Sequence, residues 1–228
     1  VSIIVILSMK LGFESGGECP YYGTMSILKI DSIIDRLDQH QPLLQEMVPG
    51  TREAAVAAIL RPGPQPEMLF ILRASKDGDP WSGHMAFPGG HREPSDASLR
   101  ATAERETWEE IGLDLTQHGR YLGQLDQVRA NPRGRNIDMV VTPVVYILEN
   151  PDVVMTPNYE VADILWGSLR DMHTGDSLTQ RQSIVGNRPQ AFTGYQVGNE
   201  VVWGLTLRML DHFFGLLDPS FKPRGLEG

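Results

Sequence analysis

The chain has a single cysteine, Cys19, among 228 residues. One thiol can neither close an intrachain disulfide nor build a Cys-based zinc site, which excludes a disulfide-stapled secreted scaffold and makes a reducing, cytoplasmic compartment the simplest setting. Positive charge is also scarce: 20 Lys and Arg stand against 29 Asp and Glu, a formal charge of −9. Nucleic-acid binders draw their affinity from basic surfaces that neutralise phosphates, so this composition argues against one. No apolar run approaches the roughly 20 residues that a membrane helix needs. The apolar opening Val1 to Ser8 (VSIIVILS) lacks the basic flank and small-residue cleavage site of a signal peptide. Internal repeats and low-complexity tracts are missing as well. What is present is a 41% apolar fraction, enough to fill a core and to exclude a disordered or fibrous chain.

Lys10 to Thr24 is Gly-rich and aperiodic, so residues 1–24 read as an N-terminal tail and residues 25–228 as one domain with a helix at each end. The spacing of Ile30, Ile33, Ile34 and Leu37 predicts a helix within Ile27 to Met47. Ala54 to Leu60 and Met68 to Leu72 read as strands, and the Pro-rich Arg61 to Glu67 (RPGPQPE) between them makes a hairpin turn. Ala74 to Gly83 reads as a surface loop running into Met85, Ala86 and Phe87, then Pro88-Gly89-Gly90. From Ser95 or Asp96 to Ile111 there is no Pro or Gly, good N-cap residues stand at the start, and Gly112 sits where a helix C′ glycine belongs. Tyr121 to Val128 and Met139 to Leu148 are further strand candidates, separated by the Arg-rich Arg129 to Asn136 (RANPRGRN). After a loop at Asn150 to Asn158, a short helix is expected around Tyr159 to Asp163, and one or two strands within Gln190 to Val202. An amphipathic helix from Val201 to Leu217, with Leu205, Met209, Leu210, Phe213 and Leu217 inward, closes the pattern.

The chemistry concentrates in the helix ahead of Gly112. Glu106, Glu109 and Glu110 stand at i, i+3 and i+4, on one face. Like charges at that spacing repel, and near a helix C-terminus the macrodipole disfavours negative charge again. A divalent cation reverses the sign of both effects, and oxygen-only ligands suit Mg²⁺ or Mn²⁺ better than zinc. The ordinary reading of a Glu-x-x-Glu-Glu run is a solvated acidic face. Pro88-Gly89-Gly90 upstream lowers it, because bare backbone can approach a ligand closely and a carbonyl there offers a further oxygen.

Gly90, Arg105-Glu106, Glu109-Glu110 and Gly112-Leu113 together resemble the Nudix box, Gly-x5-Glu-x7-Arg-Glu-U-x-Glu-Glu-x-Gly-U, where U is a bulky aliphatic residue. Asp96 stands at the place of the upstream Glu, with one residue more than the box has between it and Arg105, and Thr107 replaces an aliphatic residue. Pro80-Trp81-Ser82-Gly83-His84-Met85-Ala86-Phe87-Pro88-Gly89-Gly90, Thr102-Ala103 and Trp203-Gly204-Leu205-Thr206 are similar to the coenzyme A pyrophosphatase branch of that superfamily. Trp81 and His84 occupy places where the branch carries His and Gln.

The resemblance implies an α/β fold, an α/β/α sandwich with a mixed sheet. It also implies a Mg²⁺ (or Mn²⁺) dependent hydrolase acting on a nucleotide conjugate, coenzyme A first, with ADP-ribose or a dinucleotide such as NADH as the alternative. By position in the box, Gly90, Glu106, Glu109 and Glu110 would hold the metal, and Arg105 would fix the Glu109 rotamer. The catalytic base would come from the helix or from a loop outside it. Glu160 is the outside candidate, its other reading being an N-terminal helix carboxylate. Arg73, Arg92, Arg129, Arg133 and Arg135 are candidate phosphate contacts, while His84 and His91 read as polar lining and Trp81 either stacks on a base or caps the core. The expected partner is a small nucleotide, not nucleic acid or membrane, and a homodimer stays open. A diphosphate isomerase of the same fold would need a catalytic Cys, and Cys19 lies in the tail. A catalytically silent binding module would show an eroded box, and this one keeps its Arg-Glu-x-x-Glu-Glu.

Overall fold

The computed structural model describes residues 26–76, 81–130, 138–185 and 188–225. The expected tail at 1–24, together with Arg133 and Arg135, lies outside them. Helix α1 (Ile30–Gln39) buries Ile33 and Leu37. It stops well short of Met47, because Pro42 disfavours helical backbone at Gln41. Leu43 and Gln45 then take their backbone partners from Asp126 and Gln127 rather than from a continuing helix.

Strands β1 (Arg52–Arg61) and β2 (Glu67–Arg73) form the expected hairpin. They pair only beside the turn, Leu60 opposite Met68 and Arg61 opposite Glu67. Beyond that point the two strands diverge, and the segment from Met85 to His91 fills the wedge: β3 (Met85–Ala86) pairs with β2, and β4 (Gly89–His91) pairs with β1. On its other edge β1 runs parallel to β7 (Met139–Leu148). Strands β5 (Gly119–Gln124) and β6 (Val128–Ala130) lie antiparallel to β7, and β8 (Val161–Ser168) lies antiparallel to β2. The result is a mixed eight-stranded sheet.

Its inner strands are apolar on both faces, as a sheet covered on both sides requires. Along β1, Ala54, Ala58 and Leu60 face one core and Ala55, Ala57 and Ile59 the other. The first core takes in α1 and the C-terminal helix; the second is covered by α2 (Leu99–Ile111). The architecture is therefore an α/β/α sandwich. A short α3 (Leu115–His118) follows α2, and α4 (Leu169–Thr174) follows β8. Strands β9 (Leu178–Val185), β10 (Arg188–Val197) and β11 (Glu200–Trp203) make a separate antiparallel sheet, and α5 (Gly204–Leu217) ends the fold. Among the described residues no helix is long and apolar enough to cross a membrane.

Several sequence expectations are corrected. Helix α2 starts at Leu99 rather than near Asp96, because Ser98 is the N-cap, its hydroxyl accepting from the Ala101 N–H. The short helix expected at Tyr159 to Asp163 is a turn feeding β8, so Glu160 is not a helix-terminal carboxylate. The Tyr121 to Val128 strand is interrupted between β5 and β6, and α5 begins at Gly204, after β11.

Candidate active site

Helix α2 presents its glutamates unequally. Glu110 points inward and is 3% exposed, whereas the Glu109 side chain is 52% exposed at the rim. Thr107, where an aliphatic residue is usual in the box, is fully buried because its hydroxyl donates to the Ala103 carbonyl (2.7 Å), so the core meets no unsatisfied donor. Gly112 takes the left-handed conformation (φ 65°) that ends the helix, as its position predicts. The open carbonyls of that last turn are then met by the following loop: the Asn158 side-chain amide donates to the Glu109 carbonyl and the Asn158 backbone N–H to the Glu110 carbonyl, both at 2.8 Å. The Asn158 side-chain oxygen accepts from the Glu160 N–H (2.7 Å). One asparagine thus ties Glu160 to the glutamate helix.

Arg105 organises the outer part of the site. Its guanidinium donates to both oxygens of Asp96 (3.0 Å each), to Glu106 (3.0 Å), to Glu109 (3.1 Å) and to the His91 carbonyl (3.0 Å). Asp96 also accepts from the Glu93 N–H and the Thr102 hydroxyl. The guanidinium beside it holds the Asp96 carboxyl well below the usual range, outweighing its covered position. This explains how the box tolerates Asp at that place: a shorter carboxylate, reached through a longer loop, still grips the arginine on both oxygens.

A cavity of about 430 Å³ opens where β1 and β2 splay. Its lining combines Glu106, Glu110, Glu160 and Arg73 with Trp81, Phe87, Trp203, Leu205 and Met209. Glu110 accepts from the Gly89 N–H (2.8 Å) and has the Arg73 guanidinium 3.9 Å away. Burial nonetheless pushes its pKa up to about 8, and burial also raises that of Glu106 against the pull of Arg105. Gly90 is pressed so close to Glu106 that an added Cβ would stand 2.5 Å from the carboxylate. Bare backbone is what lets strand and carboxylate meet. These residues fit a divalent cation: oxygen donors face a shared cavity, and burial disfavours their charge in the absence of a counter-ion.

The arginines divide. Arg73 lines the cavity, while Arg92 pairs with Glu53 (2.9 Å) on β1 and Arg129 pairs with Asp138 and the Glu46 carbonyl. Neither Arg92 nor Arg129 is among the cavity-lining residues. His84 and His91 line it, His84 with its ring 4.7 Å from that of Trp203. The Thr206 hydroxyl donates to the Met85 carbonyl (3.2 Å), closing the N-terminus of α5 over the cavity. Sequence reading did not single out Asn158 or the grip of Asp96 on Arg105. An Asn two residues before an acidic residue signals a side-chain turn that could have marked the first.

The model of the NUDIX domain family matches residues 51–184. The chain belongs to this family. Nudix hydrolases act on the diphosphate bond of nucleoside diphosphate-linked compounds. Similar relatives include the uncharacterized protein C14C4.10c of Schizosaccharomyces pombe, 37% identical over 119 residues, 51% of this chain. The match spans only 36% of that protein's length. The uncharacterized Nudix hydrolase NudL of Photorhabdus laumondii is 28% identical over 81% of this chain and 95% of its own. The mitochondrial coenzyme A diphosphatase NUDT8 of Mus musculus is 28% identical over 68% of this chain and 73% of its own. The Nudix match begins after α1 and ends before β10, so α1, β10, β11 and α5 lie outside the matched segment.

Proposed function

We propose that this chain is a Mg²⁺ (or Mn²⁺) dependent pyrophosphohydrolase that cleaves the diphosphate of coenzyme A or a related nucleotide conjugate. The observation that carries the reading is the meeting of Glu106, Glu110 and Glu160 in one cavity that is also lined by aromatic and apolar side chains. A diphosphate linked to a nucleoside has both characters. Glu106, Glu109 and Glu110, with the Gly90 carbonyl, would hold the cation, which when bound neutralises charge on the attacked phosphoryl group. Glu160 would take a proton from the attacking water, its backbone tied to the glutamate helix through Asn158. Arg73 is the cationic side chain suited to a phosphate oxygen, and Trp81 and Trp203 supply aromatic lining for the organic part. Coenzyme A is favoured by the named activity of the mouse relative and by Trp203 to Thr206, the branch-like step, standing at the cavity wall.

Mass-resolved product analysis with Mg²⁺ tests this against coenzyme A, ADP-ribose, NADH and a nucleoside triphosphate, with EDTA as control. Metal-dependent release of a phosphopantetheine and adenosine 3′,5′-bisphosphate is the expected result. Cleavage of ADP-ribose or NADH instead would keep the hydrolase and discard coenzyme A. No turnover of any of them would remove the substrate assignment altogether.

A further inference from the structure

Away from the cavity, three side chains from three elements converge. His40 follows α1, Asp126 sits in the loop between β5 and β6, and His212 lies on α5. One ligand atom from each lies within 4.8 Å of the other two. The Nε2 atoms of His40 and His212 are each 3.1 Å from Asp126, one on each carboxylate oxygen, with the two rings 5.7 Å apart. None of the three lines the catalytic cavity.

A simple hydrogen-bonded bridge does not account for the geometry. His40 Nε2 is buried with no hydrogen-bond partner, although an Asp126 oxygen is 3.1 Å away, because the nitrogen and oxygen are not aligned as donor and acceptor. The atoms approach one another without bonding, as ligands of a shared ion do. Asp126 is itself held in place, one oxygen accepting from the Leu43 N–H (2.8 Å), the kind of outer support that orients metal-binding carboxylates.

We propose that His40, Asp126 and His212 form a second metal site, for zinc or a similar transition metal, that clasps the two flanking helices to the matched Nudix segment. Two imidazoles and one carboxylate suit zinc and are poor ligands for Mg²⁺, which prefers an all-oxygen shell. Three protein ligands leave one position for water. His40 and His212 both lie outside the family match at 51–184, and Asp126 lies within it, so the site links the domain to each flanking helix. This inference is independent of the substrate assignment, because its ligands take no part in the cavity.

The test uses the full chain stripped of metal, then equilibrated with zinc in the presence of excess Mg²⁺ and dialysed. Bound zinc is counted by elemental analysis, and cobalt in place of zinc reports the ligand field by visible absorption. Wild type and Glu109→Gln are expected to keep one zinc per chain, while His40→Gln and His212→Gln lose it, with affinity lowered by about a hundredfold or more. Zinc should also raise the melting temperature of wild type and leave that of both His variants unmoved. Retention of zinc by the His variants at the wild-type level would overturn the site, as would loss of zinc in Glu109→Gln. Should the variants fail to fold, wild type decides alone: cobalt with no visible ligand-field band under excess Mg²⁺ would equally overturn it.

Discussion

Replacing Arg105 with alanine leaves the Asp96 carboxylate covered and without its guanidinium. Asp96 loses contacts on both oxygens, and its side chain is only 5% exposed, while Arg105 is 22% exposed. Removing one partner of a deeply buried pair costs about 3–5 kcal/mol, and a surface pair is worth about 0–1 kcal/mol. The pair is covered but shallow, so about 2 kcal/mol is expected, partly relieved because Glu93 and Thr102 still donate to Asp96. Lysine should recover less than half, since a compact ammonium cannot grip both oxygens and reach Glu106 and Glu109 together. The sign of the pH dependence follows from the depressed Asp96 pKa. Such a group contributes stability above its unfolded pKa of about 3.9 and loses it as pH falls through the lower folded value. Urea unfolding of wild type and Arg105→Ala across pH should therefore show the full gap at neutral pH and a narrowing gap in acid. A gap below about 0.5 kcal/mol at neutral pH, or one that widens in acid, would refute the reasoning.

Two further outcomes are expected. Glu109→Gln alters a half-exposed rim side chain, so unfolding should shift by no more than about 0.5 kcal/mol while turnover falls by orders of magnitude; activity within about twofold of wild type would sink the metal assignment. In metal-free protein Glu110, with its pKa pushed up to about 8, contributes stability that is present below its unfolded pKa and lost as pH rises toward that value. Melting temperature in EDTA should drop between about pH 5 and pH 8, less so in Glu110→Gln, and a flat wild-type profile would count against the burial argument.

Local signals were enough for the glutamate helix. Its stop at Gly112, the spacing of its carboxylates and the Pro-Gly-Gly step are all written within a short stretch of chain. The hairpin was equally legible, since three prolines force the turn. What failed was whatever depends on distant partners. The Arg92 and Arg129 side chains read as candidate phosphate contacts because Glu53 and Asp138 become their neighbours only through strand register. Strand β9 (LTQRQSIV) has no clean apolar period, and it forms by pairing with β10. Strand β8 starts with Val-Ala-Asp, which has no strand alternation until β2 is there to align it.

Around the cavity and its rim the carboxylates of Asp96, Glu106, Glu109, Glu110 and Glu160 outnumber the guanidiniums of Arg73 and Arg105. Arg105 is fully engaged by protein groups, so it positions Glu106 and Glu109 and has no donor to offer a phosphate. An anionic substrate would meet a wall of its own sign, and helix α2 carries that charge at the end where its dipole opposes it. Both conflicts lie in the same few residues, and a sequence selected for stability alone would have removed them. A divalent cation among the glutamates would relieve both at once, offsetting the repulsion along the helix and turning the wall attractive to phosphate. The local cost of the stripe is therefore best understood as the counterpart of ligand binding, and the depth at which Glu110 is buried makes that cost largest where the substrate would sit.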